Sequence, residues 1–279
     1  MFKLIHLTDP HFVPPGETLY GRDPSNPLAA AVADINENHA DADLVVVTGD
    51  LTHWGEAEAF RHLQRTLAPL APPLRLLIGN HDDRSRFAAA FPGQPRDADG
   101  FVQSALRTGE GRMLFLDTVL EGTDAGWYCE TRLAWLGDQL DQAAAKDEDV
   151  FLFMHHPPFD VGVAPMDRIG LIQRDAFRAV VEPHRARIRH LFFGHLHRPI
   201  FGTWRGIGLS TIRALNHQVA LDFSTDGHAP GCFEPPAYAI CLIEADQLVI
   251  HVHDFLDESP RFSLDDSPVD DWANAYPAA

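Results

Sequence analysis

Five short motifs carry the side chains best suited to chemistry: Asp9-Pro10-His11, Gly49-Asp50, Gly79-Asn80-His81-Asp82, His155-His156-Pro157-Pro158 and Gly194-His195-Leu196-His197. Together they offer imidazole nitrogens, carboxylates and an amide oxygen with no thiolate, a donor set matched to hard or borderline divalent cations. A carboxylate has two oxygens, so one central aspartate can bridge two ions. Ions held about 3.5–4 Å apart together polarise a phosphoryl oxygen and generate hydroxide near neutral pH. The chemistry indicated is metal-assisted attack of water on a phosphate ester. Any one motif is weak, because Asp-x-His and Gly-Asp arise by chance and a lone strand-end histidine more often serves structure. The signal is their order, each closing an apolar run.

Those runs, at 2–7, 44–47, 74–78, 113–116, 151–154 and 191–193, read as buried strands. Amphipathic stretches between them, at about 27–38, 56–67, 131–145 and 174–181, read as helices. Asn26 is the expected N-cap of the first, with Pro27 at its first helical position. Alternating strands and helices predict an α/β fold. In open α/β sheets the loops at the carboxyl ends of strands meet at one crevice, which would gather all five motifs. After Pro199, short runs at 207–212, 218–223, 237–243 and 248–252 predict a β meander. Loops are expected near 92–100 and 226–236, the second a candidate cap or dimer element. The acidic tail from Asp254 reads as a solvated or partner-covering arm. The expected organisation is a catalytic domain over 1–222. C-terminal strands, a cap or dimerisation loop and the tail, over 223–279, complete the same domain.

Composition narrows the classes further. The chain has 279 residues, 45% hydrophobic and 22% charged, which is ordinary for a globular protein. No apolar run approaches the roughly 20 residues of a spanning helix, so no membrane role is expected. The N-terminal apolar stretch is too short for a signal peptide. Cys129, Cys232 and Cys241 fit no metal or redox spacing and read as reduced thiols of a cytoplasmic protein. The net charge of −18 leaves no basic face for gripping a nucleic-acid polymer. Metal ions can still reverse the local field for a small phosphate substrate.

The ordered set Asp9/His11, Asp50, Asn80/His81, His156 and His195/His197 resembles the calcineurin-like binuclear metallophosphoesterase superfamily, over nearly 200 residues. Three further stretches resemble bacterial glycerophosphodiesterases, which belong with the class III 3',5'-cyclic nucleotide phosphodiesterases. They are Gly16-Glu17-Thr18-Leu19-Tyr20-Gly21, Met154-His155-His156-Pro157-Pro158 and His217-Gln218-Val219. The resemblance implies a four-layer α/β/β/α sandwich and two divalent ions per chain, drawn from Mn, Fe, Co or Zn. It implies Asp9, His11 and His197 on the first ion, Asp50 bridging, and Asn80, His156 and His195 completing the second site. His81 would stand over the phosphate, stabilising charge or protonating the leaving alkoxide, with Asn80 also facing substrate and His217 either facing it or serving structure. Neighbouring strand residues point oppositely, so only one of His155 and His156 should face the crevice. Family position favours His156 and makes His155 structural.

The implied activity is hydrolysis of small phosphodiesters by metal-activated hydroxide, in a chain that assembles as a homo-oligomer. Broad phosphomonoesterase activity is the alternative, and a non-catalytic scaffold of the same fold is a third reading. Protein phosphatases of this superfamily continue Gly-Asp to Asp-Arg-Gly, whereas here Leu51-Thr52-His53-Trp54-Gly55 follow Asp50. His81 therefore lacks that orienting carboxylate, and no arginine occupies the Trp54 position. Two divalent ions, two carboxylates and a hydroxide leave a net of about +1 around the metals. A diester carries one negative charge and a monoester nearly two, so the balance favours diesters. Arg84, Arg86 or Arg213 would compensate if they reached the pocket. Phe12, Tyr20, Trp54, Phe159 and Met166 are candidates for lining the leaving-group pocket. His6 reads as a core residue or a support to a ligand, and His53 as a surface or packing residue.

Overall fold

The structure is a computed structural model, and it describes residues 1–224 and 226–261. The expected tail from Asp254 therefore lies largely outside the described residues. Thirteen strands run in chain order as β1 Phe2–Leu7, β2 Leu44–Thr48, β3 Leu74–Leu77, β4 Ser104–Thr108, β5 Gly111–Phe115, β6 Val150–Met154, β7 Ile188–Phe193, β8 Ile200–Trp204, β9 Ile207–Thr211, β10 Gln218–Val219, β11 Gly231–Cys232, β12 Tyr238–Ile243 and β13 Leu248–His253. The helices are α1 Ser25–Asn38, α2 Ala57–Leu67, α3 Arg84–Ala90, α4 Glu130–Ala145, α5 Ala164–Asp167 and α6 Arg174–Val181.

The strands form two large sheets. The first has the order β13-β12-β1-β2-β3 and the second β4-β5-β6-β7-β9-β8. β1, β2 and β3 are parallel, as are β5, β6, β7 and β9; the antiparallel pairings are β12 with β1 and β13, β4 with β5, and β8 with β9. Side-chain alternation along the second sheet divides the core. Met113, Phe115, Phe151, Phe153 and Phe192 face inward and pack with the first sheet and the residues of α1, α2 and α3. Leu114, Leu116, Leu152, Met154, Leu191 and Phe193 face outward into a second cluster with Leu136 and Leu140 of α4 and Phe177 of α6. Helices, sheet, sheet and helices thus make four layers, the α/β/β/α sandwich expected from the sequence.

Three local expectations are corrected. α1 begins at Ser25, before Asn26, because Asp23 Oδ1 accepts from both the Ser25 amide and its hydroxyl at 2.9 and 2.7 Å and turns the chain earlier. The C-terminal runs do not form one meander. β9 joins the second sheet, β12 and β13 pair beside β1 in the first, and the 218–223 run holds only the two-residue β10, paired with β11. The edge strands β4 and β8 were not foreseen.

Candidate metal centre

Because β1, β2 and β3 run parallel, as do β6 and β7, their carboxyl ends open on one side of the sandwich. Asp9 and His11 follow β1, Asp50 follows β2, Asn80 and His81 follow β3, His155 follows β6, and His195 and His197 follow β7. Backbone bonds tie these loops together: Asp9 N to Gly49 O at 3.2 Å, His11 N to Asp50 O at 2.9 Å, and Gly194 N to His155 O at 3.2 Å. Asp9, His11, Asp50, His195 and His197 all have φ between 47° and 71°, in the left-handed region. Such conformations cost of order 1–3 kcal/mol each and cluster at functional sites. Gly49, with φ of 98°, makes the turn possible, and a Cβ there would come 2.5 Å from His155 Nδ1.

Asp82, buried, accepts from the amides of Leu51, Thr52 and Gly79 at 2.8–2.9 Å and so clamps the Asp50 loop to the Asn80 loop. Burial and the neighbouring Asp50 push its carboxyl up to about 6.

The donors fall into two groups on either side of Asp50. Asp9, His11, Asp50 and His197 form one, their ligand atoms all within 4.8 Å of one another. His11 Nε2 lies 3.5 Å from Asp50 Oδ2, and His197 Nε2 lies 3.3 Å from Asp9 Oδ1. The two Nε2 atoms face each other at 3.0 Å. His197 Nδ1 donates to the His217 carbonyl at 2.9 Å, which leaves its Nε2 as a lone pair in the neutral ring. With the His11 proton on Nδ1, a second lone pair would face it, and a cation between the rings would take both nitrogens as ligands. In the other group, His155 Nε2 is 3.3 Å from Asp50 Oδ1 and 3.1 Å from Asn80 Oδ1, and His195 Nδ1 is also 3.1 Å from Asn80 Oδ1. The buried Nε2 atoms of His156 and His195 have no hydrogen-bond partner among the described residues. The residues present therefore fit two cations.

Both histidines of the pair, including His155, which was expected to be structural, reach the second donor group. His155 brings its donor to Asp50 and Asn80, its Nδ1 donating to the Thr48 carbonyl at 2.7 Å across the gap between sheets. His156 pairs its Nδ1 with the Thr118 hydroxyl at 2.7 Å, although its ring stays in a cluster with His155 and His195. Both residues lie beyond Met154, the last paired position of β6, so strand alternation does not decide which one faces the crevice.

Burial raises the carboxyl of Asp50, but His155 and His81 beside it outweigh that and hold it well below the usual carboxylate range. Burial alone would lower His155; its contacts with Asp50 lift it instead to about 9. Burial keeps His11 well below its ordinary value and His195 and His217 near 3, so these rings stay neutral and free to ligate. His81 is raised: burial opposes its charge, while Asp50 and the His53 carbonyl favour it. Its Nδ1 donates to that carbonyl at 2.7 Å, so a backbone oxygen orients His81 where the superfamily's carboxylate is missing.

A cavity of about 760 Å³ opens over both donor groups, bordered by His81, His217, Tyr20, Met166 and the segment Ala229 to Phe233. The His217 ring packs at a steep angle against two others, 4.6 Å from His197 and 4.9 Å from His11. Tyr20 and Met166 line the cavity as expected, but Phe12 is fully buried and Phe159 packs on Phe193 and Trp204. Trp54 is exposed, its ring against His53. His53, expected to serve packing, meets His11 and His81 in one imidazole cluster; its place three residues after Asp50 was the signal available. Among the described residues no lysine or arginine lines the cavity, and Asp124 does. Arg84 pairs with Asp117 and Glu121, Arg86 with Asp83 and the Gly55 carbonyl, and Arg213 with Asp254.

Two parallel-stranded sheets that pool carboxylates, an amide and imidazoles at their strand ends define the metallophosphoesterase fold. The chain belongs to the calcineurin-like phosphoesterase family, whose model matches residues 2–199. It is 49% identical to a probable cyclic nucleotide phosphodiesterase of Rhodopseudomonas palustris, over 95% of this chain and 97% of that one. It is 34% identical to the glycerophosphodiester phosphodiesterase GpdQ of Enterobacter lignolyticus, over 77% and 78% of the two chains. A dimetal phosphatase from Danio rerio shares the fold with a TM-score of 0.68 at 16% identity, covering 90% of this chain and 95% of its own.

Proposed function

We propose that this chain is a metal-dependent phosphodiesterase for small diesters, either 3',5'-cyclic nucleotides or glycerophosphodiesters. The observation that carries the reading is Asp50, whose two oxygens face separate donor groups: Oδ2 toward His11 and Oδ1 toward His155. Asp9, His11 and His197 would hold one ion, and Asn80, His155 and His195 the other, with Asp50 shared. His156 moves from ligand to support, its ring backed by Thr118. When bound, two such ions supply an activated water and neutralise charge on the phosphoryl oxygens. The residues of the chain do the rest. Asn80 sits with His155 and His195 and borders the cavity, and His217 borders it over His11 and His197. His81, held by the His53 carbonyl, is placed to give its Nε2 proton to the departing alkoxide.

Diesters are favoured over monoesters because no lysine or arginine among the described residues lines the cavity to meet a second negative charge, and Asp124 does line it. A cytoplasmic location accords with three free cysteines. No helix among the described residues is long and apolar enough to cross a membrane. Assembly into a homo-oligomer through the segment after β10 accords with the exposed Leu221, Phe223 and Phe233; light scattering of the eluted protein reads its mass.

The test is hydrolysis of matched bis-p-nitrophenyl and mono-p-nitrophenyl phosphates, then of cyclic nucleotides and glycerophosphodiesters, by protein loaded with Mn, Co, Fe or Zn. The expected result is metal-dependent turnover with higher kcat/KM for the diester. Equal or better monoester turnover overturns the diester assignment. No hydrolysis with any metal overturns the enzyme reading and revives the scaffold.

A further inference from the structure

Three imidazoles of the site fix their tautomers in the same way. His81, His155 and His197 each donate Nδ1–H to a backbone carbonyl, of His53, Thr48 and His217 respectively, and so turn Nε2 into the crevice. His11 differs. Its Nε2 also faces the crevice, beside Asp50 and His197, but its Nδ1 meets another ring nitrogen, His53 Nδ1, at 3.0 Å. Only one proton fits between two ring nitrogens at that distance. For His11 to present a lone pair at Nε2, its own Nδ1 must carry that proton. His53 must then be neutral, accept at Nδ1 and carry its own proton on Nε2.

We propose that His53 is a positioning residue that sets His11 as the metal-binding tautomer and at the same time seats His81, a role that rests on the binuclear reading above. The local backbone suits it to this. The His53 amide donates to the Phe12 carbonyl at 2.9 Å, which stitches its loop to the one that carries His11. The His53 carbonyl takes the His81 proton, and the two rings stack at 4.7 Å with planes 16° apart. One residue thus couples a metal-facing histidine to the phosphate-facing one. A histidine ligand usually leans on a carboxylate, a carbonyl or water. A neutral imidazole in that place orients His11 without adding a negative charge to a site whose positive excess is small.

The experiment titrates metal-free wild type, His53→Phe and His53→Asn with Mn²⁺ by calorimetry, with thermal unfolding as the check on folding. Phenylalanine keeps the stacking face and removes the acceptor. Asparagine places a carbonyl oxygen close to where Nδ1 was. The expected result is that His53→Phe weakens one of the two sites by about 10–100-fold and leaves the other, as loss of such a support typically does. His53→Asn recovers most of that loss. Wild-type affinity at both sites in His53→Phe overturns the proposal. A second measurement needs no variant to fold. In the Zn-loaded wild type, long-range ¹H–¹⁵N spectra should show His11 protonated at Nδ1 and His53 at Nε2, and the reverse pair overturns the proposal. Wild type that binds fewer than two ions instead removes the binuclear reading, and the tautomer pair still decides the role of His53.

Discussion

The two sheets contribute unequally to the site. Every oxygen donor, Asp9, Asp50 and Asn80, comes from the loops after β1, β2 and β3, whereas the loops after β6 and β7 contribute only imidazoles. The oxygen half is clamped to itself through Asp82 and the amides of Leu51, Thr52 and Gly79. The imidazole half leans on its surroundings: His155 on the Thr48 carbonyl of the opposite sheet, and His197 on the carbonyl of His217. Neither half can hold two ions alone, so the site depends on the packing of sheet on sheet. The inner aromatics Phe115, Phe153 and Phe192, stacked at 4.7–5.0 Å, are part of that packing.

The largest expected effect comes from removing the one residue that both ions share. Asp50→Ala should lower kcat by at least about 10³-fold, the several kcal/mol a metal pair contributes to the transition state. Metal content should fall with it. Full activity with two ions still bound would break the account. His81→Ala acts on neither half and should keep both ions while slowing an alkyl diester by roughly 10²–10⁴-fold. The slowing should shrink for p-nitrophenyl diesters, whose leaving group needs little protonation. An unchanged rate on the alkyl substrate rules out the acid role.

A smaller and sharper test lies inside the imidazole half. His155→Ala should remove one ion from the stoichiometry. His156→Ala should keep both and weaken affinity by about 10–100-fold, as loss of a support does. The opposite ranking, read from metal content after dialysis, would restore His156 as the ligand.

A further test, which needs no substitution, is pH dependence. In the metal-free chain His155 holds its proton up to about 9. A pKa raised above the ordinary 6.5 stabilises the folded metal-free chain below about 6.5, and that contribution is lost as pH rises through 9. Metal must displace this proton. Affinity of the metal-free protein should therefore rise with pH, by up to tenfold per unit below about 9, and level off above it. A flat profile between pH 7 and 9 would show that His155 is not displaced by metal.

Much of this was legible in the sequence, for a physical reason. Strands such as β2 and β6 are buried along their whole length and appear as unbroken apolar runs, with a polar motif directly after each. β4 and β8 were missed because edge strands expose alternate or successive residues, and Ser-Ala-Leu-Arg-Thr and Ile-Phe-Gly-Thr-Trp carry no such run. The choice between His155 and His156 was illegible because alternation applies only while a strand is paired, and both residues lie past that point. His53 was missed because its role comes from the approach of the β1 and β2 loops, which spacing along one segment does not report. Asp82 was part of a quoted motif, yet its three amide contacts come from two loops and appear only in the fold.

The central claim is that Asp50 joins two ions, each held between the two sheets. Electron paramagnetic resonance of the protein loaded with two equivalents of Mn²⁺ addresses it directly. The account predicts an exchange-coupled spectrum in the wild type that collapses to the isolated-ion hyperfine pattern in Asp50→Ala. An uncoupled pattern from two fully bound ions in the wild type would contradict it.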